Sequence, residues 1–261
     1  MQDAKITFEQ PLNEYIRICL RVEHLLHRVE ASILGESAAE SCTALEAILE
    51  ILNVIDRPDL KSKITKALSQ HAGVLTQLEQ KMDVDHQKLQ EILLELDQLV
   101  DSLYNLPDKI GQQLRTNTFL NTIRQYMANP GGASPFATPA YYLWLQQPAN
   151  ARIRDLLTWF ADFEQLKAAV KLLLQLTRGS TRSEVLIAEH GFYQRSLDPR
   201  LTYHLVRVAV PSHLRVYPEI SMGRHRLIVR FLELNVNDRG VQRLGDVEFE
   251  LTCCLPLVGF M

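Results

Sequence analysis

The sequence lacks the segments that would carry a chain into or across a membrane. No apolar stretch reaches the roughly 18 residues that a spanning helix needs, and the first residues, MQDAKITFEQ, have neither part of a secretion signal. Low-complexity runs are also missing, and the net charge is only −3 over 261 residues. We therefore expect a folded, cytoplasmic protein without a membrane partner.

Cysteine is scarce, and its few positions do not suit a disulfide or a metal site. The chain has four cysteines, and neither a CxxC pair nor a Cys/His ligand spacing occurs. Cys253 and Cys254 are adjacent on a predicted strand, where neighbouring side chains point to opposite faces. We predict that all four cysteines are reduced packing residues, in keeping with a cytoplasmic location.

Motifs of catalysis and cofactor binding are missing too. Gly131-Gly132 is not followed by the Lys-Ser/Thr pair of a phosphate loop, and neither a GxGxxG fingerprint nor a GxSxG elbow occurs. His24 and His27 stand three apart beside Glu23, but no third ligand is apparent. We interpret the glycines as a tight turn and the histidines as a solvated helix face. The sequence therefore predicts no enzyme, no catalytic residue, no cofactor and no metal site.

The first two-thirds of the chain have the apolar spacing of amphipathic helices. Four helices with short connections are predicted before Leu106, which indicates antiparallel packing in a bundle. Their start signals include Asn13, a Ser37/Glu40 capping box and Asp85. A further helix is predicted to begin at the cap Thr116, and a last long helix is predicted over residues 149–178.

From Glu184 onward, apolar and polar residues alternate as they do in half-buried strands. Strands linked by short turns favour an antiparallel sheet, and residues 4–9 resemble one more strand that could join it. Helices first and strands later are typical of an α+β protein. We predict an α-helical domain over residues 12–179 and a β domain over 180–256 with 4–9. The predicted later strands are 184–190, 201–210, 215–220, 224–234 and 247–254.

The basic residues are unevenly distributed. Lysine is absent after Lys171, and residues 200–230 hold six arginines and a single acid, Glu219. Arginine forms planar, two-pronged hydrogen bonds with carboxylates and phosphates, which lysine cannot do. The bias indicates an anion-binding surface in the strand-rich part of the chain.

The stretch YPEISMGRHRLIVRF, residues 217–231, concentrates this bias in one predicted strand. Because side chains alternate between the faces of a strand, Arg224, Arg226 and Arg230 share one face, and His225 lies with apolar residues on the other. A row of guanidinium groups on an exposed strand face can bind carboxylates or phosphates.

Three partners for these arginines are open. Glu248 and Glu250 share one face of the last predicted strand and could neutralise the arginines if the two strands pair. Nucleic acid is a second partner, although the chain as a whole is slightly acidic and has no aromatic-studded RNA-binding motif. An acidic peptide is the third, and it suits a local basic patch best.

Several stretches of the sequence together resemble the ZapD family. They are FEQPLNEYIRICLRVEHL, IGQQLR, PGGASPFATPAYYLWLQQP, HGFYQ, YPEIS with the arginine strand, and DVEFELTCC, in the same order from Phe8 to Cys254. The resemblance implies a helical domain joined to a β domain, with association into a symmetric homodimer.

The resemblance also implies a non-enzymatic, cytoplasmic factor of bacterial cell division. Such proteins bind the C-terminal tail of the tubulin-like GTPase FtsZ, cross-link its protofilaments and promote ring assembly at mid-cell. Because two linked sites in a dimer bridge two filaments, bundling follows, and a lower FtsZ GTPase activity is an indirect consequence. The alternative is a regulator that binds nucleic acid through the same arginines.

The tail site of the family is a basic surface that involves the first helix and the region before the Pro-Gly-Gly loop. The matching motifs here contain Arg21 in CLRVE, Arg115 in IGQQLR, and Arg124. With the arginine strand, the expected FtsZ-tail-binding residues are Arg21, Arg115, Arg124, Arg224, Arg226 and Arg230. Thr118 and Tyr142 stand where relatives have a basic residue and a histidine, and the final LPLVGFM extends past the usual end of the family.

Overall fold

The chain forms one helical and one strand-rich unit. The structure, a computed structural model, describes residues 4–57, 59–78, 85–106, 109–130, 132–237 and 240–256. The helical unit is Ile18–Leu173, and the β unit is Met1–Arg17 with Leu174–Met261. The predicted α+β fold is confirmed, whereas the domain boundaries 12–179 and 180–256 with 4–9 stay a prediction.

The helices succeed one another along the first two-thirds of the chain, as their apolar spacing predicts. In chain order they are α1 (Glu14–Ser32), α2 (Ala38–Val54), α3 (Leu60–Leu78), α4 (His86–Asn105), α5 (Gln112–Thr116), α6 (Thr118–Met127), α7 (Pro139–Leu145), α8 (Ala149–Phe160) and α9 (Glu164–Arg178).

Side-chain caps fix where three of these helices begin. Asn13, Ser37 and Asp85 each accept a hydrogen bond from the N–H of the third residue of α1, α2 and α4, at 2.9, 3.1 and 3.2 Å. The Glu40 carboxylate in turn accepts a hydrogen bond from the Ser37 N–H at 3.0 Å, which completes the capping box. These caps satisfy backbone donors that have no partner inside a helix, and the predicted start signals are confirmed.

The start of α6 differs from the prediction by one residue. Thr116 is the last residue of α5, and its hydroxyl donates to the Gln113 carbonyl at 3.0 Å. Asn117 caps α6 instead, with its Oδ1 accepting from the Leu120 N–H at 3.1 Å. Threonine and asparagine are both good caps, so sequence pattern alone does not choose between adjacent candidates.

The predicted long helix over residues 149–178 is wrong, because a 3₁₀ turn, Ala161–Phe163, separates α8 from α9. In this turn the Glu164 N–H bonds to the Ala161 carbonyl, which is the tighter i→i+3 pattern. The turn places Phe163 fully inside the helical unit. Apolar residues recur every three or four positions on both sides of the break, so periodicity does not reveal it.

Helix α2 is buried around most of its circumference. The sequence predicts one apolar stripe that includes Leu45, Leu49 and Leu52, but Ala44, Ala47, Ile48 and Ile51 are also completely inaccessible. The reason is that α7 and α8 both pack against α2. A helix with neighbours on several sides is apolar nearly all round.

The strands follow in the last third of the chain, apart from the first one. They are β1 (Lys5–Pro11), β2 (Glu184–Ala188), β3 (Phe192–Ser196), β4 (Leu205–Pro211), β5 (Val216–Met222), β6 (Arg226–Glu233), β7 (Val241–Gln242) and β8 (Val247–Cys254).

Antiparallel pairing is confirmed, but the strands divide between two sheets. One sheet has the order β1-β4-β8-β2, and the other has the order β3-β6-β5 with β7 beside β6. The N-terminal strand joins the first sheet, from Lys5 opposite Pro211 to Pro11 opposite Leu205. The expectation that the N-terminal strand joins an antiparallel sheet with the later strands is therefore confirmed.

Sequence reasoning missed β3, because a turn with unusual backbone angles separates it from β2. His190 and Gly191 have φ values of 50° and 69°, a region that L-residues rarely adopt. A Cβ on Gly191 would collide with the carbonyl oxygen of Arg243, so glycine is required there by both angle and space.

The core of the β unit lies between the two sheets. It combines Val206, Val208 and Val210 of β4 and Val247, Phe249 and Leu251 of β8 with Leu227, Val229 and Phe231 of β6. The rings of Phe231 and Phe249 are 5.0 Å apart between centroids, and Tyr193 of β3 meets Phe249 edge-on at 5.3 Å. The β unit is therefore a sandwich of two antiparallel sheets.

Glu9 fixes the N-terminal strand in the β unit. Arg178, at the end of α9, donates to its two oxygens at 2.8 and 2.7 Å, and Arg207 of β4 donates at 2.9 Å. Burial alone would raise the pKa of the Glu9 carboxyl, but the hydrogen bonds and charges of Arg178 and Arg207 outweigh it and lower the pKa below 4.5.

Replacing Glu9→Gln should destabilise the β unit by roughly 1.5–3 kcal/mol at neutral pH, because two part-buried arginines lose a charged acceptor. Since the folded pKa of Glu9 is lowered, the difference from wild type should shrink as pH falls through about 4.5 and vanish below the folded pKa. Urea unfolding at several pH values measures it.

The matched control is Glu250→Gln, which removes the ion pair with Lys5 at 2.6 Å in the same sheet. That pair is more exposed, so the loss should stay below about 1 kcal/mol. Equal losses for the two variants would show that Glu9 contributes no more than a surface charge.

Candidate anion-binding surfaces

Strand β6 presents arginine on one face and the core on the other. Arg226 and Arg230 are exposed, whereas Leu227, Val229 and Phe231 are completely buried. The predicted alternation is confirmed over these five residues. It places two guanidinium groups on the outer face of the β3-β6-β5 sheet.

Two residues before β6 depart from the prediction. Arg224 and His225 lie in the bend that precedes the strand, and both are exposed. His225 was predicted to face the core, which is wrong, because the side-chain alternation holds only once the strand has begun. Arg224 is therefore close in sequence to Arg226 but lies outside the strand, so the strand does not hold it on the same face as Arg226 and Arg230.

Of the three partners left open by the sequence, strand pairing with Glu248 and Glu250 is excluded, because β8 belongs to the other sheet and pairs with β2 and β4. In the register of β6, Arg230 instead lies between Glu219 of β5 and Phe192 of β3. Neither Arg226 nor Arg230 forms an ion pair with another residue that the structure describes.

The helical unit brings Arg115 and Arg124 together around one carboxylate, that of Asp56. Arg115 Nη1 donates to Asp56 Oδ1 at 2.8 Å, and Arg124 Nη2 donates to Oδ2 at 3.1 Å. The Nε of Arg124 also donates to Asn53 Oδ1 at 2.5 Å. The hydrogen bond from Arg124 and the charges of both arginines hold the pKa of Asp56 below its usual value.

The three members of this cluster differ in exposure. The side chain of Asp56 is 44% exposed, compared with 13% for Arg115 and 23% for Arg124. The carboxylate is thus the member most accessible to solvent. Sequence reasoning selected both arginines but missed Asp56 and Asn53, which come from the end of α2 and the turn after it.

Arg21 lies on the exposed side of α1. Its neighbours Cys19 and Val22 are completely buried, so the helix is fixed with Arg21 directed outward. Among the residues that the structure describes, Arg21 has no ion-pair partner. It resembles Arg226 and Arg230 in this respect and differs from Arg115 and Arg124.

An apolar groove of about 870 Å³ opens in the β unit beside the edge strands β1 and β5. Its lining includes Ile6, Phe8, Val216, Leu234 and Val236. The sequence did not predict this groove. The alternation of apolar and polar residues in β6 continues through Leu234, so the sequence pattern assigns Leu234 to the strand and does not mark it as a groove residue.

Two further findings concern the described part of the chain. No helix within it is both long and apolar enough to cross a membrane. No group of three or more His, Cys, Asp or Glu side chains within it could hold a metal ion. The loop residue Gly131 and residues 257–261 of the final LPLVGFM lie outside the described residues.

Comparison with known proteins identifies the family. The family described as "ZapD: Cell division protein" matches residues 20–230. The chain belongs to the ZapD family. "Cell division protein ZapD" from two strains of Coxiella burnetii, RSA 331 / Henzerling II and RSA 493 / Nine Mile phase I, is similar to it. Each is 45% identical over 256 residues, which cover 97% of this chain and 99% of the relative.

The resemblance found in the sequence is thus confirmed, and this protein is a member of a cell division family. The match to the ZapD family spans all six arginines expected at the tail site. The structure brings Arg115 and Arg124 together in the helical unit and fixes Arg226 and Arg230 on one face of the β unit.

Arg152 shows what a structural arginine looks like in this ZapD-family protein. It is 5% exposed, and it donates to the Ser41 hydroxyl at 3.0 Å and to the carbonyls of Glu36, Leu145 and Gln147. Four of its five N–H donors are used inside the helical unit, and burial keeps the side chain from an external partner. Arg21 and Arg226 have the opposite environment.

These environments predict opposite effects on stability. Arg152→Met should cost roughly 2–4 kcal/mol, because several buried acceptors lose their donor. Arg21→Gln and Arg226→Gln should change stability by no more than about 0.5 kcal/mol. Thermal and urea unfolding of the three variants measure this, and a large loss for either exposed position would mean that its arginine supports the fold.

Proposed function

We propose that this protein binds the acidic C-terminal tail of FtsZ and cross-links FtsZ protofilaments at the division ring. Two observations support the proposal: membership of the ZapD cell division family, and exposed arginines that form no ion pair with a described residue. The second observation carries it, because exposed and unpaired arginine is available to an external carboxylate.

The chemistry of the exposed arginines suits an acidic peptide. A guanidinium group binds a carboxylate through two parallel N–H donors, and a peptide tail offers acidic side chains and a terminal carboxylate. Since Arg21, Arg226 and Arg230 form no ion pair with any residue that the structure describes, they need not give up such a pair before they bind. Arg224 is exposed in the same way. Arg115 and Arg124 differ from these arginines, because both already pair with the carboxylate of Asp56.

Nucleic acid fits less well as a partner. The chain carries a net charge of −3, and Glu219 lies opposite Arg230 in the sheet register. Phosphate-backbone binding usually requires a broad basic surface. A regulator that binds nucleic acid through these arginines therefore stays the alternative.

Cross-linking requires two tail sites in one particle. We infer a homodimer in which each subunit holds one tail, so that the two linked sites bridge two filaments. Any decrease in FtsZ GTPase activity would then follow from lateral association of filaments, with no reaction catalysed by this protein. The proposed location is the cytoplasm, with recruitment to the mid-cell division ring.

The proposal is tested by co-sedimentation of polymerised FtsZ with wild-type protein and with Arg21→Asp or Arg226→Asp. Each reversal of charge should decrease the bundled fraction several-fold, because an attraction for the acidic tail becomes a repulsion. Arg154→Asp and Arg182→Asp are matched controls at exposed arginines of the helical and β units, and they should bundle like wild type.

FtsZ without its C-terminal tail should not be bundled at all. Normal bundling of that tailless FtsZ would contradict the mechanism, and normal bundling by both Arg21→Asp and Arg226→Asp would contradict the site. If the protein instead shifts a DNA probe with a steep salt dependence, the nucleic-acid alternative replaces the proposal.

A further inference from the structure

Asp56 occupies the position where a ligand carboxylate would bind Arg115 and Arg124. Its two oxygens each accept a hydrogen bond from one of the arginines, at 2.8 and 3.1 Å. This is the arrangement that two guanidinium groups offer to any carboxylate. The helical unit therefore contains an anion site that is filled by a side chain of the same chain.

The members of the cluster differ in how accessible they are to a ligand. Arg115 and Arg124 are 13% and 23% exposed, so they are largely covered, whereas Asp56 is 44% exposed. Asp56 is thus the member of the cluster with the largest exposed fraction, and part of each arginine is also accessible to an anion in solution. Like charges repel, so a second carboxylate gains most by taking the place of the first.

We propose that Asp56 is a built-in competitor at this site: it binds Arg115 and Arg124 in the free protein, and a carboxylate of the acidic tail replaces it. The inference rests on the proposed function, since it concerns how the same tail is selected. Asp56 acts through the two arginines and is not itself a ligand-binding residue.

The position of Asp56 in the chain allows this exchange. Helix α2 ends at Val54, and its cap residue Ile55 bonds back to Ile51. Asp56 follows the cap, so rotation of its side chain moves the carboxylate away without unwinding the helix. Arg115 and Arg124 are fixed on α5 and α6 and keep their bonds to the Ile110 carbonyl and to Asn53.

The exchange has a consequence for specificity. The two arginines carry two positive charges and Asp56 carries one negative charge, so the charge of the cluster is the same before and after a single carboxylate replaces Asp56. The internal carboxylate is always nearby and therefore has a high effective concentration. A ligand with one acidic group competes poorly, and a tail with several acidic groups, which also binds other arginines, competes well.

The test compares the affinity of a fluorescently labelled FtsZ C-terminal tail peptide for wild-type protein and for Asp56→Asn, by anisotropy. Removing the competitor should tighten binding about three- to tenfold, because a site that is mostly occupied binds with an apparent Kd raised by the inverse of its free fraction. Asp56→Glu, which keeps a carboxylate, should bind like wild type.

Asp59→Asn is the matched control. Asp59 lies near Asp56 in sequence, before α3, and pairs with Lys63 at 2.5 Å, away from the two arginines. Asp59→Asn changes the net charge of the protein by the same amount as Asp56→Asn, so it measures how much of any gain in affinity comes from net charge alone. In a protein with Arg115→Gln and Arg124→Gln, the effect of Asp56→Asn should disappear, because nothing remains to compete for.

The outcomes separate this inference from the proposed function. If wild type binds the tail and Asp56→Asn binds with equal or weaker affinity, the inference is wrong and the tail function stands. If wild type does not bind the tail, the proposed function is wrong, and a labelled hexaglutamate peptide tests the anion site directly with the same variants. Equal affinity of wild type and Asp56→Asn for that peptide would also overturn the inference.

Discussion

The carboxylate of Glu9 is the point on which the β unit depends. It lies on an edge strand, which has a neighbour on one side only and leaves backbone N–H and C=O groups unpaired on the other. Arg178 and Arg207 supply that hold from α9 and β4. Phe8 of the same strand packs against the core. Release of β1 would therefore expose part of that core as well as remove one strand from the sheet.

Arginine serves three different purposes in this chain, and the neighbouring acceptors decide which. Arg152 is surrounded by carbonyls and a hydroxyl and stabilises the helical unit. Arg115 and Arg124 both donate to the carboxylate of Asp56 and hold it between two α-helices of the helical unit. Arg21 and Arg226 are exposed and have no ion-pair partner among the described residues, so their guanidinium groups are hydrated. Whether an arginine in this chain is accessible as a basic group therefore depends on whether an acidic or carbonyl acceptor lies beside it.

Signals that act between residues close in sequence predicted much of the fold. Contacts between residues far apart in sequence could not be predicted in this way. The caps at Asn13, Ser37 and Asp85 act within one helical turn, so their residue types were sufficient. The division into two sheets depends on which strands meet, so the sequence left open whether the arginine strand pairs with the strand of Glu248, and only the structure excludes that pairing. At the candidate site the arginines could be selected by type and motif. Asp56 could not, because it is far from both arginines in sequence and an aspartate after a helix end is a common turn residue.

The register of β1 also sets an order of events during synthesis. This strand ends at Pro11, but its partner β4 begins at Leu205, roughly 190 residues later. At about 5–20 residues per second, β1 waits on the order of 10–40 s for a neighbour. The helical unit is complete by then and can fold while the ribosome is still working. Strand β1 therefore cannot form its ladder with β4 until the whole helical unit has been synthesised.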